Sequence, residues 1–363
     1  MKAWRIYGIR DMRLDDVQMP EIKPGWVLVK VRMVQLSITE VAHFQGSSVG
    51  AQADVEKLLE QKAPLQMFGH EFCGNVIEVG EGVSHIKVRD RVIFWRRASC
   101  HKCALCLAGY EWLCHKGPLL GLDIPGCLAE YTLLPAESLM SIPNTITDSE
   151  ATAMQPLVGA VADFYATGVE MGDTVVVLGQ GVMGLNFTQL SRVRGTGKII
   201  AVDVRDDILA ISRRLGADIT INARKSDPVE AVIEATEGVG ADVVFECAGG
   251  SHQQGLSGTK TLIQAIKMVR DQGKITQIAM LETNAMLEIS PINLRGIQYR
   301  GFGSSTRKLA QYAIDLVASK RVQLAPLITH VLEGLDKVPE AFEITGNKAK
   351  YGAINPAQVV VAR

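Results

Sequence analysis

The chain has 363 residues, a formal net charge of −1 and 47% hydrophobic side chains, enough apolar material for two ordinary domains. Balanced charge leaves no basic stripe for a nucleic acid, and no apolar run reaches the length of a bilayer span. The opening Met1-Lys-Ala-Trp-Arg-Ile-Tyr has no apolar signal core, so a reducing, cytoplasmic setting is expected.

In chain order, the first half alternates in short runs at Trp26–Arg32, Cys73–Val79, Arg91–Trp95 and Glu130–Leu134. Gly, Pro and Asp punctuate them, which predicts a strand-rich domain. Between the first two runs, Ser47–Pro64 carries an amphipathic stretch, Ala53–Lys62, with Val55, Leu58 and Leu59 on one face. It either covers a cleft or packs on the surface. From about Val158 the pattern changes to buried strands alternating with helices. Strands are expected at Thr174–Leu178, Lys198–Asp203, Asp242–Cys247 and Lys274–Ala279, and helices at Leu185–Val193, Ile208–Leu215 and Thr261–Val269. This is the pattern of βαβ units and a doubly wound parallel sheet. A helix at Lys308–Ser319 and a last strand at Val359–Ala362 follow. The expected fold class is therefore α/β, with a β-rich domain over 1–157, a dinucleotide-type domain over 158–303, and a return to the first domain over 304–363.

Cys100, Cys103, Cys106 and Cys114 fall within fifteen residues. Thiolates at that spacing let one lobe, near 96–116, wrap a tetrahedral ion, and an all-cysteine site has no open position, so structural zinc is the reading. A pair of disulfides would need an oxidising compartment, and an iron–sulfur cluster uses similar spacing. Cys73, Cys127 and Cys247 sit among apolar neighbours and read as small buried hydrophobes.

Gly179-Gln-Gly181-Val182-Met183-Gly184 follows an apolar strand and opens a helix. With 34 glycines in the chain a lone match would carry little, but an acidic residue, Asp203, ends the next strand nineteen residues past Gly184. Its carboxylate can accept from ribose hydroxyls and repels a 2′-phosphate, so NAD is expected over NADP. Arg205 lies close enough to soften that preference.

The cysteine lobe upstream of this glycine turn resembles the zinc-containing medium-chain alcohol and polyol dehydrogenases, nearest to the butanediol, sorbitol and threonine dehydrogenase branch. The likeness runs through Gly69-His70-Glu71-Phe-Cys-Gly-Asn-Val-Ile-Glu-Val-Gly and Gly121-Leu-Asp to Gly126-Cys-Leu-Ala-Glu-Tyr131. The resemblance implies a GroES-like catalytic domain, a Rossmann domain, a homodimer or homotetramer, and a second, catalytic zinc in the cleft. Its ligands would come from a Cys-Gly-Thr/Ser-Asp turn, the histidine of Gly-His-Glu, and an acidic residue or cysteine at the start of the interdomain helix.

Here the pattern departs. The turn reads Leu36-Ser37-Ile38-Thr39-Glu40, so Ser37 replaces the cysteine and Glu40 the aspartate. Gln155 stands where the anionic interdomain ligand is implied. Ser37 and Gln155 are neutral and poor zinc ligands, leaving His70 and Glu71, with Gln155, to hold any catalytic metal. Thr39 is kept as a proton relay, whereas the relay histidine falls on Ala42, with His43 one residue late. Without a metal, Thr39, Ser37 and His70 could polarise a carbonyl by hydrogen bonds.

The resemblance thus implies an NAD(H)-dependent oxidoreductase acting on a secondary alcohol, polyol or hydroxy acid, or the matching ketone. The alternatives are a zinc-free reductase of a conjugated or activated acceptor, and a nucleotide-binding protein without catalysis. Arg96 and Arg97, before the cysteine lobe, could clamp an anionic substrate. Leu294–Phe302 alternates like a strand that pairs between subunits.

Overall fold

The computed structural model describes residues 1–47, 52–250, 258–281 and 286–362. Two sheets organise it. The second half forms six parallel strands in the order Ile219–Asn222, Lys198–Asp203, Thr174–Leu178, Ala241–Glu246, Val269–Gln277 and Gln298–Gly301. Counting from Thr174–Leu178, this is the doubly wound order 3-2-1-4-5-6, which places the switch point beside the strand that leads into the glycine turn. Val175, Val176 and Val177 are all fully buried because helices cover both faces.

The first half forms a mainly antiparallel sheet around Trp26–Gln35, which pairs with Glu71–Val79 on one side and with the C-terminal strand Gln358–Val360 on the other. Val331–Glu333 lies beyond Gln358–Val360, so the chain's end returns to the sheet where it began. The same sheet holds Arg91–Phe94 and Leu139–Ser141, while Tyr131–Pro135 pairs with Trp26–Gln35.

The helix Met154–Thr167 joins the halves. Its Met154, Leu157, Val158 and Val161 pack in one apolar cluster with Ile93 of the first sheet, Trp95 just after that strand, and Val175, Phe187 and Phe245 of the second region. Phe187 and Phe245 stack with centroids 4.1 Å apart. A shared core of this kind fixes the cleft between the two halves.

Element ends move by a few residues from the sequence expectation, and one element changes character. Leu294–Phe302 is not one strand: the helix Ser290–Leu294 ends there, Gly296 turns at φ +61°, and only Gln298–Gly301 joins the sheet. The hairpin Lys2–Gly8 and Asp11–Asp16 has no forecast counterpart; only Ala3, Trp4 and Ile6 are buried within it, too few to mark a strand by alternation. The helix expected at 53–62 runs Gln52–Lys62 and buries Val55 and Leu59, while residues 48–51 of the longer stretch lie outside the described residues. Cys73 and Cys127 are fully buried, and Cys247 is partly buried against the shared core.

Candidate functional site

The dinucleotide turn is built by close approach. Gly179 adopts φ +83°, and a Cβ there would sit 2.7 Å from the Ala248 Cβ. A Cβ on Gly184 would lie 1.8 Å from the Gly179 carbonyl oxygen, so only glycine lets the helix pack on the strand. Gly181 differs. It caps the helix Val182–Arg194 with no side chain, and no described atom lies within 4 Å of where its Cβ would be. The open space and the free N–H groups of Val182 and Met183 at a helix N-terminus form a cradle for a pyrophosphate.

Asp203 stiffens the turn. Its Oδ2 accepts the Gln180 N–H at 2.7 Å, and its Oδ1 accepts the N–H groups of Val204 and Arg205 at 2.7 and 3.0 Å. Arg205 is directed elsewhere: its guanidinium grips Asp207 and donates to the Ala353 carbonyl at 3.0 Å. These residues fit a dinucleotide, with Asp203 free of an adjacent uncommitted cation that would welcome a 2′-phosphate. Gln180, which sequence reasoning passed over, is fully buried. It donates to the Val177 carbonyl and accepts from Thr188 and Ser212, pinning the glycine turn to two helices.

In the cysteine lobe, Sγ separations are 3.5 Å for Cys103–Cys106 and 4.0 Å for both Cys100–Cys106 and Cys103–Cys114. All four sulfurs lie within 4.8 Å of one another. A tetrahedron with Zn–S bonds of about 2.3 Å has edges of about 3.8 Å, so the set fits a structural zinc. The two arginines before it donate into the lobe. Arg96 Nη1 donates to the carbonyls of Arg97 and Glu111 and to Ser99 Oγ, and Arg97 donates to the His115 carbonyl.

The cleft residues come from four segments. The helix Ile38–Gln45 starts with a capping box: Ser37 Oγ accepts the Thr39 N–H, and Glu40 reaches back to the Ser37 N–H. Glu40 Oε1 also accepts the N–H groups of Gly69 at 2.7 Å and His70 at 3.2 Å, and meets His70 Nδ1 at 2.6 Å. The other imidazole nitrogen, Nε2, stands 4.0 Å from Glu71 Oε1. Glu71 Oε2 accepts from Gln35 at 2.5 Å, Gln35 accepts from Gln358 at 3.0 Å, and Gln358 is tied to Ser149. This buried chain runs from the cleft to the turn before the interdomain helix.

Burial works to lower the His70 pKa, but the charge and hydrogen bond of Glu40 and the charge of Glu71 override it and raise it to about 9. Burial raises the Glu71 carboxyl to about 7 against the pull of His70 and Gln35. His70 is thus an imidazolium between two acids, with a quarter of its side chain exposed. Thr39, the residue before Glu40, is half-buried. His43 Nδ1 pairs with Gln52 Oε1 at 3.1 Å. Lys348, also absent from the forecast, is half-buried and donates to the Ile354 carbonyl at 3.3 Å. Burial and Arg205 lower its pKa to about 8 against the attraction of Asp203 and Glu71.

The catalytic zinc implied by the resemblance does not fit this donor set. Ser37 Oγ is a helix cap, Gln155 is a neutral amide, and His70 offers one nitrogen. Among the described residues, the four cysteines are the one group of three or more His, Cys, Asp or Glu side chains clustered closely enough for an ion. A carboxylate behind an imidazole also stands behind many zinc-bound histidines, so the neutral residues at positions 37 and 155 decide the point, not the Glu40–His70 pair.

Comparisons with known proteins agree with this architecture. A family model described as alcohol dehydrogenase GroES-like domain matches residues 23–144, and one described as zinc-binding dehydrogenase matches residues 182–319. The L-threonine 3-dehydrogenase of Pyrococcus abyssi is 30% identical over 350 residues, covering 95% of this chain and 94% of that protein. Among solved structures, a zinc-binding dehydrogenase of Sinorhizobium meliloti bound to NADP aligns with a TM-score of 0.85 at 27% identity, over 100% of this chain and 99% of that one. The 2R,3R-butanediol dehydrogenase of Bacillus subtilis aligns with a TM-score of 0.82 at 25% identity, over 100% and 99%. The fold is a GroES-like domain joined to a Rossmann domain, and the chain belongs to the zinc-type medium-chain alcohol dehydrogenase family.

Proposed function

We propose that this protein is an NAD(H)-dependent oxidoreductase that moves a hydride between nicotinamide and a secondary alcohol, polyol or hydroxy acid, or the matching ketone. One observation carries the reading: the dinucleotide turn and the His70 cleft meet across the C-terminal segment 348–354. Arg205, beside Asp203, donates to the Ala353 carbonyl, and Lys348 on the same segment feels the charges of both Asp203 and Glu71. A dinucleotide held at Gly179, Gly181, Val182, Met183, Gly184 and Asp203 supplies the hydride donor or acceptor when bound. Asp203 receives the ribose hydroxyls, Glu40 holds the imidazole in one orientation, and Thr39 stands by as a hydroxyl relay. L-Threonine, on which the archaeal relative is named to act, is a secondary alcohol and falls within the proposed class.

A second reading, reduction of a conjugated or electron-poor acceptor, is favoured by the neutral Ser37 and Gln155, which leave His70 and Glu71 without the two anionic partners the resemblance implies. The reading also includes a cytoplasmic location and domain limits at 1–157, 158–303 and 304–363. It includes a homodimer or homotetramer, supported by Leu294 and Phe302, 83% and 64% exposed on either side of the edge strand Gln298–Gly301. No described helix is long and apolar enough to cross a membrane. The test is a screen of NAD⁺ reduction and NADH oxidation against polyols, hydroxy acids, ketones and enones. Turnover with an alcohol or ketone pair supports the reading, and turnover confined to enones favours the second.

A further inference from the structure

We propose that this cleft works without a resident catalytic metal, and that His70, clamped by Glu40, takes and returns the substrate's proton itself. The proposal rests on the oxidoreductase reading and names the chemistry of its site.

The frame around the imidazole is complete without an ion. Glu40 makes four contacts at once, to the N–H groups of Ser37, Gly69 and His70 and to His70 Nδ1, and it is 4% exposed. An aspartate at this position would be one methylene shorter. The extra reach of Glu40 lets one carboxylate close the helix cap and hold the ring together. Ser37 contributes to the same frame, since its hydroxyl oxygen accepts the Thr39 N–H. Glu71 is anchored through Oε2 by Gln35, and its Oε1 is beyond hydrogen-bond length from the ring. Among the described residues His70 Nε2 has no hydrogen-bond partner, and the His70 side chain is 25% exposed against 5% for Glu40 and 7% for Glu71. A carboxylate that orients an imidazole by one nitrogen and leaves the other to meet substrate is the arrangement of a general acid–base pair.

The bookkeeping closes. In oxidation His70 first releases its Nε2 proton to solvent; the neutral nitrogen then takes the alcohol O–H proton, and a bound NAD⁺ would take the carbinol hydride, leaving ketone, NADH and imidazolium. In reduction the Nε2–H bond breaks as the carbonyl oxygen takes that proton and the carbonyl carbon takes the hydride. The imidazole then regains a proton from water. One imidazolium stabilises a developing oxyanion less than a dication does, so carbonyls beside an electron-withdrawing group are the expected substrates.

The experiment uses the full chain purified without added metal or chelator. Zinc per chain is measured for the wild type, for His70→Asn and for Ser37→Cys combined with Gln155→Glu. The proposal expects one zinc per chain in the wild type and in His70→Asn, and unchanged turnover on adding Zn²⁺. It expects NADH affinity in His70→Asn within about twofold of wild type and kcat lower by about 10²-fold or more, partly restored by imidazole in the buffer. The double variant, with an anionic donor set rebuilt beside His70, is expected to take up a second zinc. Two zincs in the wild type, loss of one of two in His70→Asn, or a His70→Asn kcat within threefold of wild type overturns it. If the wild type turns over no alcohol, ketone or enone, the oxidoreductase reading fails and the proton role with it, while the zinc count still decides whether a second metal is present.

Discussion

Glu40 Oε1 lies 2.6 Å from His70 Nδ1 while the same oxygen accepts the backbone N–H groups of Gly69 and His70. One side chain thus sets both the imidazole's direction and the turn that carries it. Glu40→Gln keeps an oxygen for the backbone but loses the charge facing the ring. A fall in kcat of about 10²-fold is expected with little change in NADH binding, read by steady-state kinetics beside a fluorescence titration. Equal losses in NADH binding and kcat would place Glu40 in general folding instead.

Two glycines three residues apart should behave in opposite ways. Gly184→Ala pushes a methyl to 1.8 Å from the Gly179 carbonyl, so a stability loss on the order of 3 kcal/mol is expected in denaturant unfolding. Gly181→Ala meets no described atom within 4 Å. It should fold with wild-type stability yet bind NADH more weakly, because the new methyl occupies the space proposed for the pyrophosphate.

Asp203→Ser removes a carboxylate that faces the proposed ribose and also holds the Gln180 N–H. Losing charge-assisted bonds of about 1.5–3 kcal/mol should weaken NAD⁺ binding by about 10- to 100-fold. NADP⁺ should lose less, so the ratio of kcat/KM for the two cofactors moves toward NADP⁺. An unchanged ratio would remove Asp203 from ribose recognition.

Much of this was legible because it is local. The cysteine lobe and the glycine turn each fit within fifteen residues, where spacing alone encodes geometry. Gln35 and Gln358 were illegible: they are 323 residues apart and meet only because the C-terminal strand returns to the first sheet. Gln180 hid for another reason. The middle residue of a glycine fingerprint is not constrained by the motif, and nothing local announces that Thr188 and Ser212 converge on its amide. Arg96 and Arg97 are ambiguous in sequence because a pair of arginines reads the same whether the lobe's carbonyls or a substrate receives them.

Asp163, 2% exposed on the interdomain helix, carries a pH-dependent stability term. Burial raises its pKa from 3.8 to about 6 against the Gly303 N–H and Arg300. A raised folded pKa means the contribution is full below the unfolded value and is lost as pH rises through about 6. Asp163→Asn cannot ionise and keeps an oxygen for the Gly303 N–H. Between pH 4 and pH 7 the variant should therefore gain on the wild type by on the order of 3 kcal/mol in chemical denaturation. A pH-independent difference would contradict this.

The most direct test of the account follows the hydride. NADH deuterated at the transferring position of nicotinamide C4 is incubated with the protein and a panel of ketones, including ones beside an electron-withdrawing group, and products are read by mass spectrometry. The account predicts one deuterium on the new carbinol carbon. Absence of turnover across ketones and their alcohols, or deuterium found only at a former carbon–carbon double bond of an enone control, would contradict it.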